Sequence, residues 1–175
     1  MTTPTGRPTL RPAAEADYPR VADALARWWT QPGFDSALAV RERVAMVPRL
    51  WLQHFASTSL IAEVGPQLCG FLVGFVSPDR PEEGYIHFVG VWPGARRSGV
   101  GRQLYAAFFA LCRARGCARV RCVASPGNAL SIAFHTGMGF SIEPVEGDSS
   151  AEAATNATAD YDGPGIDRVR FVRPL

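Results

Sequence analysis

Val89-Gly90-Val91-Trp92-Pro93-Gly94-Ala95-Arg96-Arg97-Ser98-Gly99-Val100-Gly101-Arg102-Gln103-Leu104 is the stretch on which the reading of this chain turns. An apolar strand runs up to Pro93, a short loop of glycine and arginine follows, and helical spacing begins near Gly99 and continues through Leu104, Phe108 and Leu111. A helix N-terminus offers backbone N–H groups with no partner inside the helix, and its dipole favours negative charge. Arg96, Arg97 and Arg102 add full positive charges beside them, and Gly99 and Gly101 let a ligand come close to the backbone. Such a loop suits a phosphate or pyrophosphate. Two well-known phosphate motifs are excluded. A P-loop needs Gly-Lys-Ser/Thr, and the chain has no lysine, all 18 basic residues being arginine. A dinucleotide fingerprint needs a third glycine three residues after Gly101, where Leu104 stands.

What remains is Arg-x-x-Gly-x-Gly preceded by Val-x-Val-x-Pro. It resembles the acetyl-CoA loop of the GCN5-related N-acetyltransferases, the GNAT superfamily. The resemblance implies that the amides of Arg96, Arg97, Ser98, Gly99, Val100, Gly101 and Arg102 hold the CoA pyrophosphate. It also implies that Val89, Gly90 and Val91 pair by backbone with the pantetheine arm, like an added strand. A second segment, Asn128-Ala-Leu-Ser131-Ile-Ala-Phe134-His135-Thr-Gly-Met-Gly139-Phe140, resembles the family's other cofactor motif. There Asn128 opens a helix, and Ser131 and His135 lie four apart on one face. By resemblance Asn128, Ser131, Phe134 and His135 face the cofactor, in a cleft between strands 85–92 and 119–124.

The departure from the family lies at His135, where a tyrosine acting as general acid is usual. Histidine can donate a proton and titrates in the right range; it also serves as a lining side chain. Tyr161 and Tyr105 are alternative hydroxyls. His87 lies two residues before Val89 on the same strand face, in the region where many family members carry a glutamate base. It reads either as that base or as a histidine satisfied at the sheet surface. Glu82 and Glu83 fall in the preceding loop. His54 has no motif near it. Trp28, Trp29, Phe34 and Trp51 offer aromatic surface, with core packing the commoner use. Asp160 and Asp162 sit in a glycine-rich turn that suits an amine or plain solvent.

The rest of the chain is consistent with a cytoplasmic globular enzyme. At 175 residues, 47% hydrophobic and 19% charged, it is expected to form one domain over residues 9–175 after a loose tail at 1–8. A formal charge of +2 argues against a nucleic-acid partner, and Arg113, Arg115, Arg119 and Arg121 read as a solvated rim. The polar start Met1–Gly6 carries no secretory pattern, and apolar runs of about nine residues fall far short of a membrane span. The four cysteines lack metal spacing, so no metal is expected.

The element order is strand, two helices, three strands, helix, strand, helix, two strands, with Pro48 splitting the second helical stretch and 146–160 expected to be mobile. The fold class is α/β, a mixed and mostly antiparallel sheet of about seven strands flanked by helices, as in GNAT acyltransferases. The expected activity is N-acetyl transfer from acetyl-CoA to a primary amine of a small molecule or peptide, by direct attack in a ternary complex. A homodimer is compatible with this. The alternative is a non-catalytic CoA-binding module.

Overall fold

The computed structural model describes residues 6–29, 36–144 and 157–175. Residues 1–5 of the expected 1–8 tail, the helix break at 31–33, Phe34 and residues 146–156 of the 146–160 segment lie outside the described residues. The chain folds as two compact units, Met1–Phe75 with Ile86–Leu111 and Val76–Tyr85 with Cys112–Leu175.

The first unit holds β1 (Thr9–Pro12), α1 (Tyr18–Arg27), α2 (Ala37–Ala45), α3 (Leu50–His54), β2 (Leu60–Val64), nearly all of β3 (Gln67–Val76), most of β4 (Glu83–Val91) and most of α4 (Val100–Ala114). Hydrogen bonding runs β1-β2-β3-β4. β1 and β2 are antiparallel from Thr9↔Glu63 to Pro12↔Leu60, and β2 and β3 are antiparallel with an irregularity at Ala62/Glu63.

The helices form where apolar spacing and caps agree. In α1, Val21, Ala24 and Leu25, with Trp28 just beyond, make one buried stripe. Pro19 in its first turn sacrifices no hydrogen bond, and Arg27 complements the C-terminal dipole. Ser36 caps α2, its Oγ accepting from the Ala39 amide at 3.2 Å. Pro48 separates α2 from α3, as the sequence indicates. Along α4, Val100, Leu104, Tyr105 and Phe108 are buried, each large apolar side chain contributing about 1.5–3 kcal/mol over exposure.

An ion network ties the start of the unit to β2. Arg11 reaches Asp17 at 2.7 Å and Glu63 at 2.8 Å, and Arg20 reaches Glu63 at 3.1 Å. The Asp17 carboxylate also accepts from the Ala14 amide at 2.9 Å. The hydrogen bond from Arg11 holds Asp17 below the usual carboxylate range despite its burial.

The second unit contains the first residues of β4, then β5 (Arg119–Ala124), α5 (Ala129–Gly137), β6 (Ser141–Ile142), β7 (Ala157–Thr158) and β8 (Arg168–Pro174). β4 and β5 are parallel, Glu83↔Arg119 to Tyr85↔Arg121. β8 pairs antiparallel with β5, β6 and β7. The strands are therefore mixed and mostly antiparallel, in an α/β arrangement. Eight occur among the described residues; the two-residue β7 was not expected from the sequence. In β5, Arg-Val-Arg-Cys-Val-Ala buries Val120, Cys122 and Ala124 in strict alternation.

Two readings are corrected here. Glu83 begins β4 rather than sitting in the loop, and its side chain is only 8% exposed. Arg113 and Arg115 of the expected solvated rim are exposed, whereas Arg119 and Arg121 are part-exposed and ion-paired; their guanidinium groups lie 2.8 Å and 3.0 Å from the Glu83 carboxylate, and Arg121 also pairs with Glu143. Burial alone would raise the Glu83 carboxyl, and the arginine hydrogen bonds outweigh it and hold it low. The parallel register does this: it sets Arg119 directly opposite Glu83.

Candidate functional site

The glycine-arginine loop lies wholly in the first unit. β4 ends at Val91, and the Trp92 amide donates to the Cys69 carbonyl at 2.9 Å, anchoring the strand end to β3. A single 3-10 turn, Pro93–Ala95, follows. Ser98 then donates through Oγ to the Ala95 carbonyl at 2.6 Å. Arg97 has φ +63° and Gly99 φ +91°, so the backbone reverses hand twice before Val100 opens α4. At Gly99 any side chain would be strained. The Gln103 amide donates to the Gly99 carbonyl at 3.0 Å as the first bond of the helix, which leaves the amides of Val100, Gly101 and Arg102 with no acceptor inside it. Arg96, Arg97, Ser98 and Arg102 are exposed. Arg96 spends one N–H on the Trp28 carbonyl at the end of α1, at 3.1 Å.

Beside this loop is a cavity of about 370 Å³, lined by Arg7, Val64, Cys69, Trp92, Ser98 and Gln103 among others. Arg7 and Cys69 were not read as site residues from sequence, because the chain start and β3 reach the loop only in the folded unit. Gly90 shows a packing reason for its glycine: a Cβ there would lie 2.5 Å from the Phe71 ring. Phe71 stacks on Phe88 at 6.0 Å and tilts against Trp28 at 5.7 Å. Trp28 is thus core, and Trp29 meets Phe88 edge-on at 5.8 Å with the Arg43 guanidinium over its ring.

His87 stands on β4 in the same unit. Its Nε2 lies 2.6 Å from the Met46 carbonyl at the end of α2. The ring stacks on Trp51 of α3, centroids 4.1 Å apart and planes 17° apart. Trp51 is in turn braced by Phe55 and Phe75. His54 is exposed on α3. Tyr105, 2% exposed, packs edge-on against Phe109 in the core.

The second sequence motif lies in the second unit. Asn128 caps α5 through Oδ1, which accepts from the Ser131 amide at 3.1 Å. His135 is 6% exposed. Its Nδ1 lies 2.7 Å from the Ser131 carbonyl and 3.3 Å from the Ser131 hydroxyl. Its ring stacks on Phe171 at 4.9 Å and meets Phe140 edge-on. Burial lowers its pKa and outweighs the opposing hydrogen bond that the ring donates to the Ser131 carbonyl. Phe134 is exposed beside it. Asp160 and Asp162 are occupied within their own turn: Asp160 accepts from the Gly165 amide at 2.5 Å, and Asp162 pairs with Arg168 at 2.7 Å. Among the described residues no helix is long and apolar enough to cross a membrane.

A family model described as the acetyltransferase (GNAT) family matches residues 19–140, which include both motifs. The chain belongs to the GNAT family. Among curated proteins, this GNAT chain is 31% identical over 85 residues to an L-2,4-diaminobutyric acid acetyltransferase of Nocardia farcinica, covering 49% of this chain and 44% of that one. It is 27% identical over 107 residues to an L-2,4-diaminobutyric acid acetyltransferase of Methylotuvimicrobium alcaliphilum, covering 61% of this chain and 62% of the other. The matches span less than two thirds of either relative's length. Among solved structures, the PaiA N-acetyltransferase of Thermoplasma acidophilum in complex with coenzyme A aligns over 97% of this chain and 100% of its own, with a TM-score of 0.70 and 12% identity. That likeness is one of fold.

Proposed function

We propose that this GNAT chain transfers an acetyl group from acetyl-CoA to the primary amine of a small molecule by direct attack in a ternary complex. The observation that carries the reading is the loop from Arg96 to Arg102, with its left-handed turns at Arg97 and Gly99, its α4 amides and its exposed arginines. Charge-assisted hydrogen bonds of this kind suit the CoA pyrophosphate, and the backbone of Val89, Gly90 and Val91 suits the pantetheine arm. Both diaminobutyrate-acetylating relatives make L-2,4-diaminobutyric acid the first acceptor to try.

In this reading His87 takes a proton from the substrate ammonium. The neutral amine attacks the thioester carbonyl carbon, the C–N bond forms, the carbon–sulfur bond breaks with its electron pair leaving on sulfur, and the nitrogen, now carrying one proton too many, releases it to water. A backbone N–H near Val91 stabilises the developing oxyanion. The CoA thiolate then takes up a proton from water, since a thiol is a good enough leaving group to need little help.

His135 has a packing role in this scheme. A carbonyl only accepts, so the Ser131 carbonyl holds the proton on Nδ1, and burial keeps the ring neutral near pH 7. A neutral ring so held has no proton on its other nitrogen to give. The test is thiol release from acetyl-CoA with and without L-2,4-diaminobutyric acid. Release that depends on the amine is the expected result. CoA binding measured by calorimetry with no release against a panel of amines would instead favour a non-catalytic CoA-binding module.

A further inference from the structure

We infer that Cys112 and Cys117 form a reactive dithiol, a pair that a low-molecular-weight disulfide converts to an intramolecular disulfide across the C-terminal end of α4. The pair is independent of the acetyl-transfer reading.

The last carbonyls of a helix need partners from beyond it, and α4 finds them in a tight cap. Gly116, with φ +81°, takes the left-handed position just past the helix. The Gly116 amide then donates to the Arg113 carbonyl at 3.0 Å, and the Cys117 amide donates to the Cys112 carbonyl at 3.0 Å. These two bonds define a Schellman cap, in which the residue after the left-handed position meets the side chain at the first of the capped carbonyls. A hydrophobic contact frequently fills that place. In Cys112-Arg113-Ala114-Arg115-Gly116-Cys117 both members are cysteines. Both are free thiols, and they are hydrogen-bonded to each other. The whole cap lies in the second unit.

The two sulfurs are not equivalent. Cys112 is 0% exposed, and its Sγ presses on β4 so closely that a Cβ at Gly84 would lie 2.4 Å from it. Burial, and then the neighbouring Cys117 thiol, pushes the Cys112 thiol up to about 12. Cys117 is 6% exposed, with its Sγ 3.7 Å from the Pro81 carbonyl. It follows Gly116, beside which there is open space where a Cβ would stand, and helix ends fray. Cys117 is therefore the entering sulfur and Cys112 the resolving one. As a thiolate, Cys117 attacks one sulfur of the small disulfide. A mixed disulfide forms, and the old bond's electron pair leaves on the released thiolate. Cys112 then loses its proton and attacks the Cys117 sulfur, the mixed bond breaks, and the second small thiolate leaves. The chain gives up two hydrogens and is oxidised; the small disulfide is reduced, and its two thiolates end protonated as thiols. The cap holds the resolving sulfur against the entering one, so the second step is intramolecular.

Peptide mapping of the intact protein tests the pair. The reduced chain is treated with glutathione disulfide in the absence of oxygen, then denatured, and its remaining thiols are alkylated. Cleavage after Arg113 and Arg115 puts the two cysteines in different peptides. The expected result is a disulfide joining the Cys112 and Cys117 peptides, alkylated Cys69 and Cys122, and full reversal by dithiothreitol. In Cys112→Ala the reaction is expected to stop with glutathione held on Cys117, and in Cys117→Ala no glutathione is expected on Cys112. Glutathione retained on Cys117 of the wild type, a bridge to Cys69 or Cys122, or alkylation of all four cysteines would each overturn the proposal. A second measurement needs no variant. Phenylarsine oxide binds two thiols through one arsenic with loss of water, so treatment of the native chain is expected to protect Cys112 and Cys117 together from alkylation. Alkylation of either one after that treatment would overturn the pairing.

Discussion

The two histidines of the sequence motifs ended in opposite surroundings. His87 is half-buried on a strand, with Nε2 on a helix-end carbonyl and its ring on an indole. His135 is enclosed by Phe140 and Phe171, with Nδ1 on the carbonyl one turn earlier in its own helix. In the proposed reading the first imidazole gains a proton and the second stays neutral. Residue type and spacing place both near a cofactor motif; only the partner atom and the degree of burial tell their roles apart.

The largest effect that sharpens this contrast lies in the loop of the first unit. Gly99→Glu or Gly101→Glu should abolish CoA binding by calorimetry, because a carboxylate would enter the anion site, and at Gly99 the backbone would also be strained. Arg96→Ala should weaken binding by about 1–3 kcal/mol. Unchanged affinity in a folded Gly101→Glu protein would break the cofactor reading of the loop. Next comes His87→Ala, expected to lower kcat about a hundredfold, as for removal of a general base, with the CoA dissociation constant nearly unchanged. His135→Ala should do the reverse. It is expected to cost about 2 kcal/mol of stability, as for a large-to-small change in a core, read as a lower Tm, while kcat falls tenfold or less. A hundredfold loss of kcat at unchanged Tm would return His135 to a chemical role.

The smallest effect is a pH dependence of stability. His135 has a folded pKa below its ordinary value of 6.5. As pH falls past 6.5 the unfolded chain binds a proton that the folded chain refuses, so stability declines from there down to the folded pKa. Asp17, Glu63 and Glu83 are also held low, so their contribution is intact above the ordinary carboxylate values of 3.8 and 4.5 and is lost only at more acid pH. Denaturant titrations should therefore show an early decline beginning below pH 6.5 and a later one below about pH 4.5. His135→Phe should remove the early decline alone.

Local chemistry made much of this legible. The glycines and arginines of 96–102, the cap at Asn128, the break at Pro48 and the alternation in 119–124 each act within a few residues, and each is found where the sequence indicates it. The illegible parts depend on pairings across the chain. Glu83 reads as loop because two adjacent glutamates and nearby prolines look solvated, and its burial follows from a register partner 36 residues on. Gly90 reads only as a member of the strand that pairs by backbone with the pantetheine arm, while Phe71 of the neighbouring strand takes the space its side chain would fill. Trp51 reads as one more aromatic of an amphipathic helix, and nothing local places it on His87.

The measurement that bears most directly on the central claim is steady-state release of CoA thiol from acetyl-CoA with L-2,4-diaminobutyric acid and a panel of other primary amines, for the wild type, His87→Ala and His135→Ala. Amine-dependent release by the wild type, cut about a hundredfold in His87→Ala and far less in His135→Ala, is the expected result. Release that no amine stimulates, or that survives undiminished in His87→Ala, would contradict it.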